Sequence, residues 1–193
     1  MPDLDQKAEL QLIDRALEGS VEAFEQLVIN YQDRLFRFLL VRSASRADAE
    51  DALQDTFVAV FKYLPGYKPR YRFSTWIFTI ALRQLGRQRR HSPESADLPE
   101  SIVCVQAGPE QVGIQVEQQR SVWQTARLCL SELQFTALWL FYIEDMSLAE
   151  IAKVMKRPAG WVKVNLMRAR RRLSKELQDH HLDPAVSCNE VTL

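Results

Sequence analysis

The sequence predicts an all-α protein of two small helical domains joined by an extended linker, the second domain containing a helix-turn-helix. Three observations lead there. Glycines are few, six in 193 residues, whereas Leu, Ala, Gln, Glu and Arg, all good helix formers, are plentiful. Apolar residues recur at helical spacing in two separate blocks. Between the blocks, His91 to about Val116 is rich in Ser, Pro, Glu and Gly and has no periodicity, the mark of a linker. The expected bounds are 1–90 for the first domain, 91–116 for the linker, 117–178 for the second domain and 179–193 for a flexible tail.

Gly19 is placed to end a short first helix, and Ser20 to cap the second. Phe24, Leu27, Val28, Tyr31, Leu35 and Leu39 then make an amphipathic helix to about Arg42. Ser45-Arg46-Ala47-Asp48 fits a capping box with aspartate in the usual glutamate place. The helix it opens turns Ala49, Ala52, Leu53, Phe57, Val60 and Leu64 inward, and Pro65-Gly66 stops it. After a loop, Ser74 is expected to cap a long helix to about Arg90 with Trp76, Ile77, Ile80 and Ala81 on one face. Short joins between these helices imply a bundle. The second domain is expected to hold helices at about 117–130, 132–144, 147–155 and 159–178.

The formal net charge is zero, but the charges are sorted along the chain. Arg70 to Arg90 holds six arginines and no acid, and Lys153 to Lys175 holds nine bases and no acid. Residues 91 to 119 carry Glu94, Asp97, Glu100, Glu110 and Glu117 with no lysine or arginine. Two basic blocks around an acidic spacer point to a polyanion touched at two places. The acidic start Met1-Pro2-Asp3-Leu4-Asp5 does not read as a secretory signal. Leu133 to Ile143 is too short to span a bilayer. Cys104, Cys129 and Cys188 are odd in number and widely spaced, so neither a disulfide framework nor a zinc ribbon is expected. A soluble protein of a reducing, cytoplasmic compartment is the expectation.

Ser147-Leu148-Ala149-Glu150 is a capping box for a short helix with Leu148, Ile151, Ala152 and Met155 apolar. Lys156-Arg157-Pro158 forms the turn, with proline suited to the first position of the next helix. On that helix Val162, Leu166, Ala169 and Leu173 form an inward stripe. Trp161, Val164, Asn165, Arg168 and Arg172 form another, about a right angle away, rich in groups that can touch bases and phosphates. With Arg157, Lys163 and Arg171 they make the candidate duplex-reading set.

Tyr63 to Trp76 interleaves bases and rings. Unpaired bases stack on aromatic side chains for about 1–3 kcal/mol each, so this block suits single-stranded or opening DNA. The candidate set is Lys68, Arg70, Tyr71, Arg72, Phe73 and Trp76, with Arg83 and Arg87 further along the helix to hold the backbone. The alternative for Phe73, and for part of the Trp76 ring, is a place in the core.

Three segments carry a family resemblance. Asp48-Ala49-Glu50-Asp51-Ala52-Leu53-Gln54-Asp55-Thr56-Phe57 resembles the polymerase-binding motif of extracytoplasmic-function (ECF) sigma factors. Phe73 to Ala81 resembles the family's melting and minus-ten segment, and Ser147 to Leu173 its minus-thirty-five reader. The likeness runs from about residue 20 to 176 in the family's order. It implies no catalysis and no cofactor or metal. The implied partners are bacterial RNA polymerase core, met by Asp48, Glu50, Asp51, Gln54 and Asp55, and promoter DNA. It also implies an anti-sigma partner, often membrane-anchored, and a stress or envelope signal. The acidic linker would thread the RNA exit channel. The chain departs from the family's usual residues at Arg83, Arg87, Trp161, Val164 and Asn165, which implies either an altered promoter preference or weakened duplex binding. Two other readings remain: a stand-alone helix-turn-helix regulator, and a sigma-like interaction protein with reduced promoter reading.

Overall fold

The computed structural model describes residues 6–91 and 114–182, and every regular element among them is helical. The helices are α1 (Gln6–Leu17), α2 (Val21–Leu40), α3 (Arg46–Tyr63), α4 (Phe73–His91), α5 (Ile114–Cys129), α6 (Glu132–Tyr142), α7 (Leu148–Met155) and α8 (Ala159–Leu182). The expected linker lies almost wholly outside the described residues, as does the end of the tail. Two compact units result, one built of α1–α4, the other of α5, α6, α8 and the start of α7 (Leu148–Ala152).

In the first unit, α1 ends as the sequence predicts. Gly19 sits at φ +98°, a left-handed conformation that glycine adopts without penalty. Its N–H donates to Ala16 O at 3.1 Å and Ser20 N–H donates to Arg15 O at 3.0 Å, a Schellman closure. Ser20 then turns round as the cap of α2, its hydroxyl accepting from Ala23 N–H at 3.2 Å. Leu35, Phe38 and Leu39 of α2 meet Ile77, Phe78 and Ala81 of α4 in a fully enclosed core. The inner face of α3 is small: Ala49, Ala52, Thr56 and Ala59 are buried there, which lets neighbouring helices come close. Thr56 returns its hydroxyl to Ala52 O at 2.6 Å, so a buried polar group is satisfied within the helix. Leu53 and Phe57, expected inside, are only partly covered.

Ser74 is not the cap of α4. Trp76 N–H donates to Arg72 O, so the helix opens two residues earlier than the sequence suggests, at Phe73. Burial of Phe73 draws the helix start inward, and Ser74 ends in the first turn with its buried hydroxyl unpaired among the described residues.

The second unit is built round α6. The apolar run that looked too short to span a bilayer is this helix, with Phe135 to Leu140 buried in succession. Among the described residues no helix is long and apolar enough to cross a membrane. Ser131 and Gln134 form a capping box at its start. Trp123 of α5 packs edge-on to Phe135 and Trp139, with ring centroids 5.8 and 5.3 Å apart. Cys129 is a buried free thiol, and burial pushes its pKa up, which disfavours the reactive thiolate.

The turn between α7 and α8 uses a device the sequence conceals. Lys156 takes φ +52°, and Arg157 N–H closes onto Ala152 O at 3.0 Å, a Schellman-type end without glycine. Left-handed backbone costs a residue with a side chain about 1 kcal/mol. Lys156→Gly is therefore expected to raise the stability of this unit by about 0.5–1 kcal/mol, read as a later thermal transition. Pro158 stands one place outside the helix rather than at its first position, its carbonyl accepting from Val162 N–H at 3.1 Å.

Candidate polymerase and nucleic-acid interfaces

The outward side of α3 carries the acidic set. Asp51, Gln54 and Asp55 are exposed and lie within one turn of each other, opposite the small buried face. Asp48 and Glu50 are tied locally. Asp48 accepts from the Ser45 hydroxyl at 2.8 Å, answering that hydroxyl while its own N–H caps back to it at 3.1 Å. Glu50 accepts from Arg46 Nε at 2.8 Å in an exposed i,i+4 pair. The same stripe continues into apolar residues: Val58 is 61 % and Phe61 64 % exposed, with Phe61 edge-on to Phe24 of α2 at 5.1 Å. A helix face with carboxylates at one end and bare apolar side chains at the other suits a partner that is basic and apolar in the same order.

The loop before α4 is organised by stacked rings. Tyr67 lies 5.4 Å from Phe73 and 5.3 Å from Trp76, and its hydroxyl donates to Tyr71 O at 2.9 Å. Lys68 and Arg70 are exposed, while Tyr71, Arg72 and Trp76 are half-buried, with the Arg70 guanidinium 5.9 Å from the Tyr71 ring centre. Arg83 and Arg87 are exposed two and three turns beyond Trp76 on its own stripe of α4. Rings therefore open into a row of cations, which is what a strand leaving a duplex requires: surfaces for bases, then charges for phosphates.

On α8 the two predicted stripes are both present. Val162, Leu166, Ala169 and Leu173 are buried; Val164, Arg168 and Arg172 are exposed. The helix-turn-helix cap is confirmed, since Ser147 N–H donates to Glu150 Oε2 at 2.9 Å and Glu150 N–H to the Ser147 hydroxyl at 3.3 Å. Trp161 is half-buried beneath the Arg157 guanidinium at 5.4 Å, and Asn165 donates its amide to Trp161 O at 3.0 Å. What faces outward from Asn165 is therefore its remaining donor and its acceptor.

Comparison with known proteins finds a family match for each of the two helical units. The family model described as Sigma-70 region 2 matches residues 27–92, and that described as Sigma-70, region 4 matches residues 124–173. The chain belongs to the sigma-70 family. It is 28 % identical over 187 residues to the RNA polymerase sigma-H factor of Pseudomonas aeruginosa, covering 91 % of this chain and 96 % of the relative. It is 28 % identical over 186 residues to the ECF RNA polymerase sigma-E factor of Haemophilus influenzae, covering 90 % of this chain and 97 % of the relative. Among solved structures, CnrH in complex with the cytosolic domain of CnrY superposes with a TM-score of 0.63 at 25 % identity, over 89 % of this chain and 98 % of CnrH. The protein is an ECF-type sigma factor, a non-enzymatic subunit that directs RNA polymerase to promoters.

Two of the sequence-predicted contact residues do not fit their role in this sigma factor. Phe73 is 1 % exposed and is a core residue beneath the loop, so it offers no face to a base. Lys163 is exposed, but two positions after Trp161 it points to another side of α8, about 200° round the helix from the reading stripe. Tyr67 is one of the rings of the interleaved block, and the structure adds its partners, Tyr71 O and Trp76, which meet it only once the loop has turned. Val58 and Phe61 lie outside the sequence-predicted set, because apolar residues on a helix read as core unless burial is known.

Proposed function

We propose that the sigma factor docks on core RNA polymerase through the stripe from Asp51 to Phe61. The Tyr67–Trp76 loop then holds an extruded minus-ten base while Arg83 and Arg87 follow the strand. The Trp161–Arg172 stripe of α8, flanked by Arg157 and Arg171, reads the minus-thirty-five duplex. The observation that carries this reading is the segregation of chemistry by helix face: acid and apolar on α3, rings and cations from the loop into α4, cations over a buried stripe on α8. The domain bounds that go with it are 1–90 for region 2, 91–116 for the linker, 117–178 for region 4 and 179–193 for the tail. A stand-alone helix-turn-helix regulator would leave the first two faces without a use.

Control by a protein partner in the cytoplasm belongs to the same proposal. The complex of CnrH with the cytosolic domain of CnrY supports it, and an anti-sigma factor answering an envelope or stress signal is the partner the family implies. A second reading, a sigma-like protein with reduced promoter reading, has one feature in its favour, the Asn165 amide already bonded to Trp161 O. Run-off transcription by reconstituted holoenzyme, on fragments it selects from a random pool, separates the two. Transcripts from selected fragments support promoter reading, and core binding without any transcript supports the second. In the same assay Arg168→Ala is expected to weaken duplex binding by about tenfold and to lower the slope of log affinity against log salt by about one, the loss of one phosphate contact.

A further inference from the structure

Glu9 lies on α1, ahead of the segment matched by the region 2 family model. Its carboxylate accepts a hydrogen bond from the hydroxyl of Tyr31, a residue only 3 % exposed. The Tyr31 ring stands edge-on to Phe73, centroids 5.4 Å apart. Phe73 packs in turn on Tyr67 and on Trp76, each at 5.4 Å. Tyr67 completes the stack through Trp76 and fastens the loop backbone by donating to Tyr71 O. An unbroken line of contacts thus runs from a carboxylate on α1 to the loop bearing Arg70, Tyr71 and Arg72.

Both hydroxyls in this line act as fixed donors. Burial drives the Tyr31 phenol far above its ordinary range, and the nearby Glu9 charge pushes the same way. Burial raises Tyr67 to about 12, again with Glu9 adding to the effect. Neither phenol ionises in the working range of pH, so each keeps its proton and its acceptor. A buried hydroxyl left without an acceptor is costly, and rings in contact transmit a shift to their neighbours.

We infer that Glu9 and Tyr31 are positioning residues for strand capture, setting the ring stack under residues 67–72 so that the loop is preorganised for an unpaired base. The inference rests on the reading that this loop captures a base. Ordering the loop before DNA arrives removes a cost that binding would otherwise carry.

The test compares holoenzymes carrying Tyr31→Phe, Glu9→Ala, Glu9→Gln and the double variant Y31F/E9A, with Tyr71→Ala as control. Tyr31→Phe keeps every ring contact and loses only the hydroxyl. Three quantities are measured: affinity for a single-stranded oligonucleotide carrying the selected minus-ten sequence, rate of promoter opening, and affinity for core polymerase. Tyr31→Phe and Glu9→Ala are each expected to lower the first two about fivefold and leave the third unchanged. The double variant is expected to be no worse than either single one, and Glu9→Gln, which keeps an acceptor, to stay near the parent. If both single variants bind the oligonucleotide normally while Tyr71→Ala does not, the inference is overturned and base capture stands. If Tyr71→Ala also binds normally, base capture fails and the inference with it. A parallel fall in core affinity and melting temperature would assign the Glu9–Tyr31 bond to holding the bundle together, and would overturn the inference as well.

Discussion

Replacing Asp51 and Asp55 together by lysine, D51K/D55K, is expected to weaken binding to core polymerase several-hundredfold. Both carboxylates are exposed and lie one turn apart on the outward stripe of α3, so a basic partner helix meets them side by side. Reversal removes each attraction and adds a repulsion of similar size. At partly desolvated interface sites that change is about 1.5–2 kcal/mol per residue, so two reversals approach 3–4 kcal/mol, or about 10²- to 10³-fold in affinity. The fold should survive. The buried Ala49–Ala52 face is untouched, and the hydrogen bonds from α4 to this part of α3 reach its backbone: the Gln84 amide donates to Asp55 O at 3.3 Å and the Gln88 amide to Asp48 O at 3.0 Å. Neither bond uses a side chain that the substitutions change. The discriminating measurement is affinity for core by fluorescence anisotropy, beside a thermal melt of the free factor. An unaltered dissociation constant with an unaltered melt would remove α3 as the docking face. A weaker loss on raising salt in the parent than in D51K/D55K would argue that the carboxylates act through shape and not charge.

How much of this was legible in the sequence depends on what sets each feature. Local rules placed the ends of α1, α2 and α7, because Gly19, Ser20 and the Ser147/Glu150 pair act within one turn of their own backbone. Periodicity placed the buried stripe of α8, since Val162, Leu166, Ala169 and Leu173 need only the helical repeat to align. Tertiary burial decided the rest. Phe73 looked like part of a base-stacking set because it sits among arginines and tyrosines, yet Tyr31 of α2 claims its ring for the core. The start of α4 moved for the same reason, leaving Ser74 inside the helix. Lys156 gave no sign of its left-handed backbone, since lysine has no preference for it and the closure of Arg157 N–H onto Ala152 O requires it. The partnership of Glu9 with Tyr31 spans 22 residues, beyond any local pattern.

Phe38→Ala is expected to cost the first unit about 3–5 kcal/mol, most of the stability that a domain of this size commonly has. Phe38 is fully enclosed, its ring edge-on to Phe78 at 5.1 Å and beneath the Arg42 guanidinium at 5.0 Å. Three losses coincide in one substitution. Transfer of the ring from water is forfeited, and a cavity opens between α2 and α4 where both helices are already fixed by neighbouring contacts. The aromatic pair with Phe78 is lost too, itself worth about 0.5–1.5 kcal/mol. Arg42, which is almost wholly buried, also loses the ring face it lies against. For a unit of this length the melting temperature should fall by about 15 °C or more. The second unit has its own core around Trp123, Phe135 and Trp139, so calorimetry of the whole chain should show its transition little changed. Phe38→Leu fills most of the space and keeps the surface apolar, so it should lose less than half as much. A loss under about 1 kcal/mol in Phe38→Ala would mean that α2 and α4 can collapse onto the vacated space. The rigid core assumed to support the loop above Phe73 would then be softer than its packing indicates.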